Sequence, residues 1–411
     1  MVQSHMMSSI SSAMMSADVR RHNLALVARC IAESGPLARS EIADLTGVSR
    51  ASVTGLTATL IDQGLVQEAE PEPAARRGRR LQRLSISAPT IALVVVLIDA
   101  DRVTVVAADL TGRELFRVGR AHARPLSGPG AVLDMAAELI DEALAHMTDA
   151  ERTVVDVTVV AFAPVGGDPD IVLADSDLGW GPVDVIAELR SRSARLATVP
   201  RRERLHLVAD VLVAAAAEFA RLDDTTEALY IKSDSGIGGA VLARGALLQG
   251  AHGLAAGLGH VAVVPDGELC ICGQHGCLVT VAGPDAILRA AGLADLAADE
   301  GLAVALVRFV ERVQAADAVA LEVWGEAASW VGRTLNILAM ALDPAVIVIG
   351  GYWTTLFGDI ETAFHANRPS IDGRPLVDVQ LIPGVHGDEA ALRGALRDAR
   401  LRLLDDQLSV C

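Results

Sequence analysis

One cluster of soft ligands constrains this chain more than any other feature: His260, followed by Cys270-Ile-Cys272-Gly-Gln-His-Gly-Cys277, which holds three of the five cysteines in 411 residues. Thiolate sulfur and imidazole nitrogen at such short spacing can close a four-coordinate zinc site, with every position filled by protein and none left for water. The spacing predicts a structural zinc that ties the loop before Cys270 to the segment around His260. Five cysteines are too few for a disulfide framework, and clustered thiolates point to a reducing cytoplasm. The Ser- and Met-rich start, Met1 to Ala17, lacks a basic stretch followed by an apolar block, so it does not read as a secretion signal. Residues 1–17 are expected to be a disordered leader.

A chain of this length exceeds one ordinary core and suggests two or three domains. Hydrophobic residues make up 51% and aromatics only 3%, which leaves Ala, Val and Leu to do the packing. No apolar run reaches the roughly 18 residues of a membrane span, so no membrane partner is expected. The net charge of −17 counts against nucleic acid, but its distribution reverses that. Residues 1–90 hold ten arginines against eight carboxylates, a surplus of two, which leaves −19 on the remainder. Five of those arginines lie between Arg76 and Arg83 with no acid among them. An acidic body with a basic patch at one end is compatible with DNA contact there.

Helical spacing of Leu24, Val27, Ala28 and Ile31 predicts a first helix from Val19 to Glu33, ended by Gly35-Pro36. A short second helix, Ser40 to Thr46 with Ser40 as N-cap, turns at Gly47 into a third that Ser49 caps and that runs to about Gln63. Leu65 to Glu68 and Leu81 to Ile86 can pair as a wing around Arg76-Arg77-Gly78-Arg79-Arg80. Residues 18–88 are therefore expected to form a winged helix-turn-helix domain. Arg50, Ser52, Thr54 and Thr57, on or near the exposed side of the third helix, would donate to phosphates or read base edges of double-stranded operator DNA. Arg76, Arg77, Arg79 and Arg80 would suit a narrow minor groove.

Beyond Ile91 strands alternate with helices: Ala92 to Ile98, Arg102 to Ala108, a helix from Ala131 to Met147, then strands at Val154 to Phe162, Ala228 to Lys232 and Val346 to Ile349. That order predicts an α/β body over residues 89–411.

Several motifs, in order, resemble those of the ROK family of bacterial sugar kinases and sugar-responsive repressors. Gly253-Leu-Ala-Ala-Gly-Leu-Gly-His260 with the cysteine cluster (segment 260–277) resembles its zinc signature. Ala163-Pro164 with Gly166, Leu178-Gly-Trp180, Ser235-Gly-Ile-Gly-Gly239 and Asp343 to Gly351 resemble further family elements, and Val48 to Val66 with Gly78-Arg79 resembles the winged helix of its repressors. The resemblance implies a two-lobed, actin-like ATPase (RNase H-like) fold with a cleft, and assigns Asp210 as the kinase's general base. It also implies that His260 bonds zinc and lines the sugar site; the zinc role is the one preferred here.

The chain departs from the family where phosphoryl transfer happens. In place of the kinase phosphate loop Asp-x-Gly-Gly-Thr stands Asp99-Ala-Asp-Arg-Val103, without the glycines that let backbone N–H groups approach phosphate. Ala209, Leu258 and Leu278 stand where the family places Asn, Glu and Glu against the sugar. At roughly 1 to 3 kcal/mol for each lost bond, three losses erase millimolar sugar binding. With these neighbours changed, Asp210 reads as a leftover cleft carboxylate and no residue as catalytic.

The expected protein is a DNA-binding regulator, a repressor acting as a homodimer or homotetramer, whose kinase-like body lacks activity. Its pocket is either re-tuned to a less polar effector, sugar-derived or otherwise, or senses nothing. The competing reading is a ROK kinase that phosphorylates a hexose with ATP and carries a DNA-binding appendage; a zinc-stabilised interaction module without a ligand is the third.

Overall fold

The computed structural model describes residues 16–69, 82–122, 128–199, 204–222, 225–255 and 257–407. They fall into two units: one of residues 1–91 with 109–113 and 400–411, the other of 92–108 with 114–399.

In the first unit, helices α1 (Ser16–Ser34), α2 (Arg39–Thr46) and α3 (Arg50–Asp62) precede a small sheet. The expected leader lies largely outside the described residues, and α1 begins at Ser16. Leu24, Val27, Ala28 and Ile31 are buried, as are Val53, Leu56 and Leu60 of α3, so the helices meet through apolar stripes spaced three and four residues apart. Each fully buried Leu or Ile contributes about 1.5–3 kcal/mol. Strand Arg83–Ile86 sits centrally, antiparallel to Leu37–Ala38 and to Val66–Glu68, with Val66 opposite Ile86 and Glu68 opposite Leu84.

Ser40 is not the N-cap of α2. The helix starts at Arg39, its cap position is Ala38, and the Glu41 carboxylate accepts from the Ala38 N–H at 2.7 Å. A carboxylate in the first turn also suits the positive end of the helix dipole. Ser49 does cap α3, accepting from the Ser52 N–H at 3.2 Å. Arg29 Nε donates to Asp405 of the C-terminal helix at 2.8 Å, so the end of the chain packs with its beginning.

The second unit holds two five-stranded sheets with the same strand arrangement. In the first, the antiparallel meander Ile91–Ile98, Arg102–Ala108, Glu114–Ala121 is extended by Thr153–Ala161 and Leu205–Ala209. The second repeats this order with the meander Ala228–Ser233, Ile237–Ala243, Ala246–Leu247, extended by Val346–Gly351 and Gln380–Pro383. Burial on both faces accounts for the unbroken Val and Ile runs of the central strands.

One apolar cluster joins the two sheets through helix Asp210–Phe219 and the start of the C-terminal helix, with Val95, Val160, Val213, Tyr230 and Val348 at its centre. The outer face of the first sheet packs on helix Gly130–Asp149, and that of the second on helix Ala318–Leu342. This doubled arrangement leaves a cleft at the strand ends. Among the described residues no helix is long and apolar enough to cross a membrane.

Candidate functional site

On α3, Arg50, Ser52 and Thr54 are exposed, and with Ala51, Gly55 and Ala58 they form a face of short side chains. A backbone so thinly covered can approach another surface closely. Arg50 is 76% exposed, with Asp44 as a loose neighbour at 3.9 Å. The Thr54 hydroxyl donates to the Arg50 carbonyl at 2.9 Å, and Ser52 shares a 2.9 Å hydrogen bond with Ser49.

Thr57 must be struck from this face. It is fully buried, its hydroxyl donating to the Thr54 carbonyl at 3.2 Å and accepting from Arg39 Nε at 3.1 Å. Its place four residues after Val53 and three before Leu60 puts it on the core stripe, a signal already present in the sequence. Arg76, Arg77, Arg79 and Arg80 lie outside the described residues.

The structure brings the four metal-type ligands together. One ligand atom from each of His260, Cys270, Cys272 and Cys277 lies within 4.8 Å of the others. Cys270 Sγ is 3.5 Å from His260 Nδ1, and Cys272 Sγ is 3.6 Å from Cys277 Sγ. Tetrahedral zinc with its usual bond lengths needs edges of about 3.6 Å and about 3.8 Å for those pairs, so the residues fit the ion. The hairpin turns on Gly276, where φ is +69° and a Cβ would meet the Val264 carbonyl at 1.8 Å. Burial and the neighbouring thiols push Cys277 up to about 12.

Asp210 and His260 both line one cavity of about 860 Å³ between the sheets, together with Pro164, Gly166, Ala209 and Ser235. Sequence reasoning missed the residue at its floor. Lys232, the sole lysine of the chain, is buried, and its Nζ stands 2.6 Å from Asp210 Oδ2, bonds to Asp234 and lies 4.7 Å over the Phe162 ring. Burial works against its charge, but Asp210 and Asp234 overcome it and hold Lys232 well above the usual lysine range. The signal was compositional: every other basic side chain of fixed charge is arginine. A compact ammonium suits this close triad where a planar guanidinium would not.

The segment 99–103, expected from the sequence to stand in place of a phosphate loop, has a structural part. Asp101 Oδ2 accepts from the Leu302 N–H at 2.6 Å and so caps the first turn of helix Leu302–Gln314. Asp99 is enclosed and pushed up to about 7, chiefly by burial, against the pull of the Ala100 N–H.

Leu258 and Leu278 do not line the cavity, contrary to the expectation that they put apolar groups against a ligand. Both are buried in the second-sheet core, and Leu258 lies over Gly239, where a Cβ would meet it at 2.2 Å. Gly239 is thus a packing glycine within strand Ile237–Ala243; the turn at Ser235 and Gly236 is what faces the cavity. Glu218, which follows the supposed base by two helical turns, is buried and accepts from the Val385 and His386 N–H groups at 2.9 Å.

Comparison with known proteins agrees with this architecture. The ROK family profile matches residues 100–400, and an IclR helix-turn-helix domain profile matches 27–70. The chain is 25% identical over 353 residues to the DNA-binding transcriptional dual regulator NagC of Escherichia coli K12, covering 81% of each. A crystal structure of a ROK family transcriptional regulator, homologous to the E. coli MLC protein, superposes with a TM-score of 0.72 at 22% identity, over 95% of this chain and 98% of that one. A ROK family glucokinase from Streptomyces griseus, solved with glucose and AMPPNP, gives 0.59 at 25% identity, over 74% and 97%. Fold and site together define the class: a transcriptional regulator that pairs a helix-turn-helix DNA-binding domain with a kinase-like body. The chain belongs to the ROK family.

Proposed function

We propose that the protein is a cytoplasmic repressor without phosphotransferase activity, in which residues 18–88 bind operator DNA and residues 89–411 hold a small-molecule effector and a structural zinc. The observation that carries the loss of catalysis is the Lys232–Asp210 pair at 2.6 Å. A general base must reach and accept the substrate hydroxyl's proton; burial raises the Asp210 pKa, but its Oδ2 is occupied by the Lys232 ammonium and is not open to a substrate. Asp101, turned to a helix N-terminus, leaves no glycine cradle for phosphate.

On the DNA side, Arg50, Ser52 and Thr54 would meet base edges and phosphates in the major groove, and Arg76, Arg77, Arg79 and Arg80 the minor groove. A homodimer or homotetramer would present paired helices to a two-fold operator. Curated relatives at 25% identity include the N-acetylglucosamine repressor of Escherichia coli, which favours a sugar-derived effector here. His260, Cys270, Cys272 and Cys277 would hold zinc that fixes the cavity wall and takes no part in chemistry.

Selection of bound fragments from genomic DNA, paired with a coupled ADP-release assay over a panel of hexoses, tests this reading. Specific fragments and no ADP release are expected. Turnover of ATP with any monosaccharide, or indifference to every fragment at low ionic strength, would overturn it.

A further inference from the structure

The mouth of the cavity is unlike its floor. Leu248 and Leu254 from one loop, and Leu269 and Ile271 from the cysteine hairpin, all line the same cavity. Yet they are 45%, 56%, 66% and 74% exposed. Large aliphatic side chains gathered at one exposed place, rimmed by polar groups, mark a binding surface. These four do not fill the core, and the two on the hairpin flank Cys270, one of the four clustered ligand residues.

The floor is polar. Ser235 is buried, His260 lines the cavity with its Nδ1 3.5 Å from Cys270 Sγ, and Lys232 is paired with Asp210 and Asp234. A volume of about 860 Å³ lies toward the upper end of the roughly 300–1,000 Å³ that hold drug-sized ligands, more than one sugar ring needs.

Resting on the reading of this cavity as an effector site, we infer that the ligand is amphiphilic: a sugar bearing an apolar alkyl or aryl substituent, as in an alkyl glycoside. The hydroxylated ring sits at His260 and Ser235. The apolar substituent lies along Leu248, Leu254, Leu269 and Ile271, which pass from water to contact with it. Sugar hydroxyls can both donate and accept, as His260 and Ser235 require, while a bare sugar would leave the lip wet.

The test is calorimetric titration of the full chain with methyl and hexyl glycosides of glucose, galactose and N-acetylglucosamine, below micellar concentration, with hexanol as a control. At least one hexyl glycoside should bind ten times or more tighter than its methyl partner and than hexanol. The double variant Leu269→Ser/Ile271→Ser should bring hexyl and methyl affinities within about threefold while leaving metal content and DNA binding unchanged; both residues are exposed, so the fold is spared.

No binding by any glycoside, a hexyl preference below threefold, hexanol binding as tightly as the glycosides, or a preference that survives the double variant would each overturn the inference. So would a double variant that changes the oligomeric mass and not the preference, because the lip would then be a contact between copies. Wild-type operator binding, measured alongside, separates the two readings: its absence defeats the regulator, and its presence with silent glycosides defeats only the amphiphile.

Discussion

Replacing Lys232 with Met removes the charge and keeps the stem. Asp210 and Asp234 then face each other at the cavity floor without the ammonium that stands 2.6 Å from Asp210. Breaking a buried ion pair by deleting one partner costs about 3–5 kcal/mol, and loss of the contact over Phe162 adds about 0.5–2. Asp210 can recover part of this by taking up a proton, so the net loss at neutral pH should be about 4 kcal/mol. A unit of about 300 residues unfolds with an entropy of roughly 0.6 kcal/mol/K, so a loss of about 4 kcal/mol should lower the melting midpoint by about 6 °C.

The sign with pH follows from linkage. In the variant the folded-state carboxyl pKa lies above its unfolded value, so the folded form binds the extra proton and the deficit shrinks as pH falls toward 5. Urea and thermal melts at pH 7.5 and pH 5 measure this, and Lys232→Met/Asp210→Asn should restore more than half of the loss, because the stranded charge is gone. Because the chain has one lysine, ¹⁵N-lysine labelling gives a single side-chain amine signal, which should stay protonated beyond pH 10.5 in the wild type. A loss below 1 kcal/mol, no rescue by Asp210→Asn, or an amine that titrates below 10 would refute the idea that Lys232 locks the base.

Metal analysis should find one zinc per chain, and Cys277→Ser should release it and lower the melting midpoint; a wild-type protein refolded after chelation that takes up no zinc would remove the metal assignment. Arg50→Ala and Thr54→Ala should change which operator positions are preferred, whereas Thr57→Val should cost about 1 kcal/mol of stability through the lost hydrogen bond from Arg39, which keeps Glu68 as a neighbour, and leave preference unchanged; a Thr57→Val protein with wild-type stability and altered site preference would reverse that assignment. Asp99, with a folded pKa of about 7 against 3.8 unfolded, is neutral in the fold over that window, so its contribution is full at low pH and lost as pH rises through 7. Asp99→Asn should therefore stabilise the protein at pH 8 and have little effect at pH 4, read from paired melts; equal effects at both would contradict it. Asp101→Ala should cost about 1 kcal/mol as a lost helix cap, measured by urea melts, and no loss would mean water replaces the cap.

What the amino-acid order alone determined is whatever depends on near neighbours. Ser49, Gly47 and the buried stripe of Val53, Leu56 and Leu60 set the two helices and their turn through caps and periodicity that act within a few residues. The runs at Ile91–Ile98 and Val346–Gly351 announced central strands, and His260 with the three cysteines announced a ligand cluster, because thiol and imidazole spacing is itself a local property. Strand Glu114–Ala121 was not legible: on the edge of its sheet it carries Arg117, Arg120 and Glu114 and shows no apolar alternation.

Tertiary structure alone decided which groups meet across long separations. Asp101 finds the Leu302 N–H two hundred residues away, Lys232 finds Asp210 on a different element, and Leu258 turns from the cavity into the core because Gly239 leaves room for it. Each of these is a choice between burying a group with a partner and leaving it in water. The partner is supplied by a distant segment of chain, so its identity is fixed only once the sheets have closed on one another.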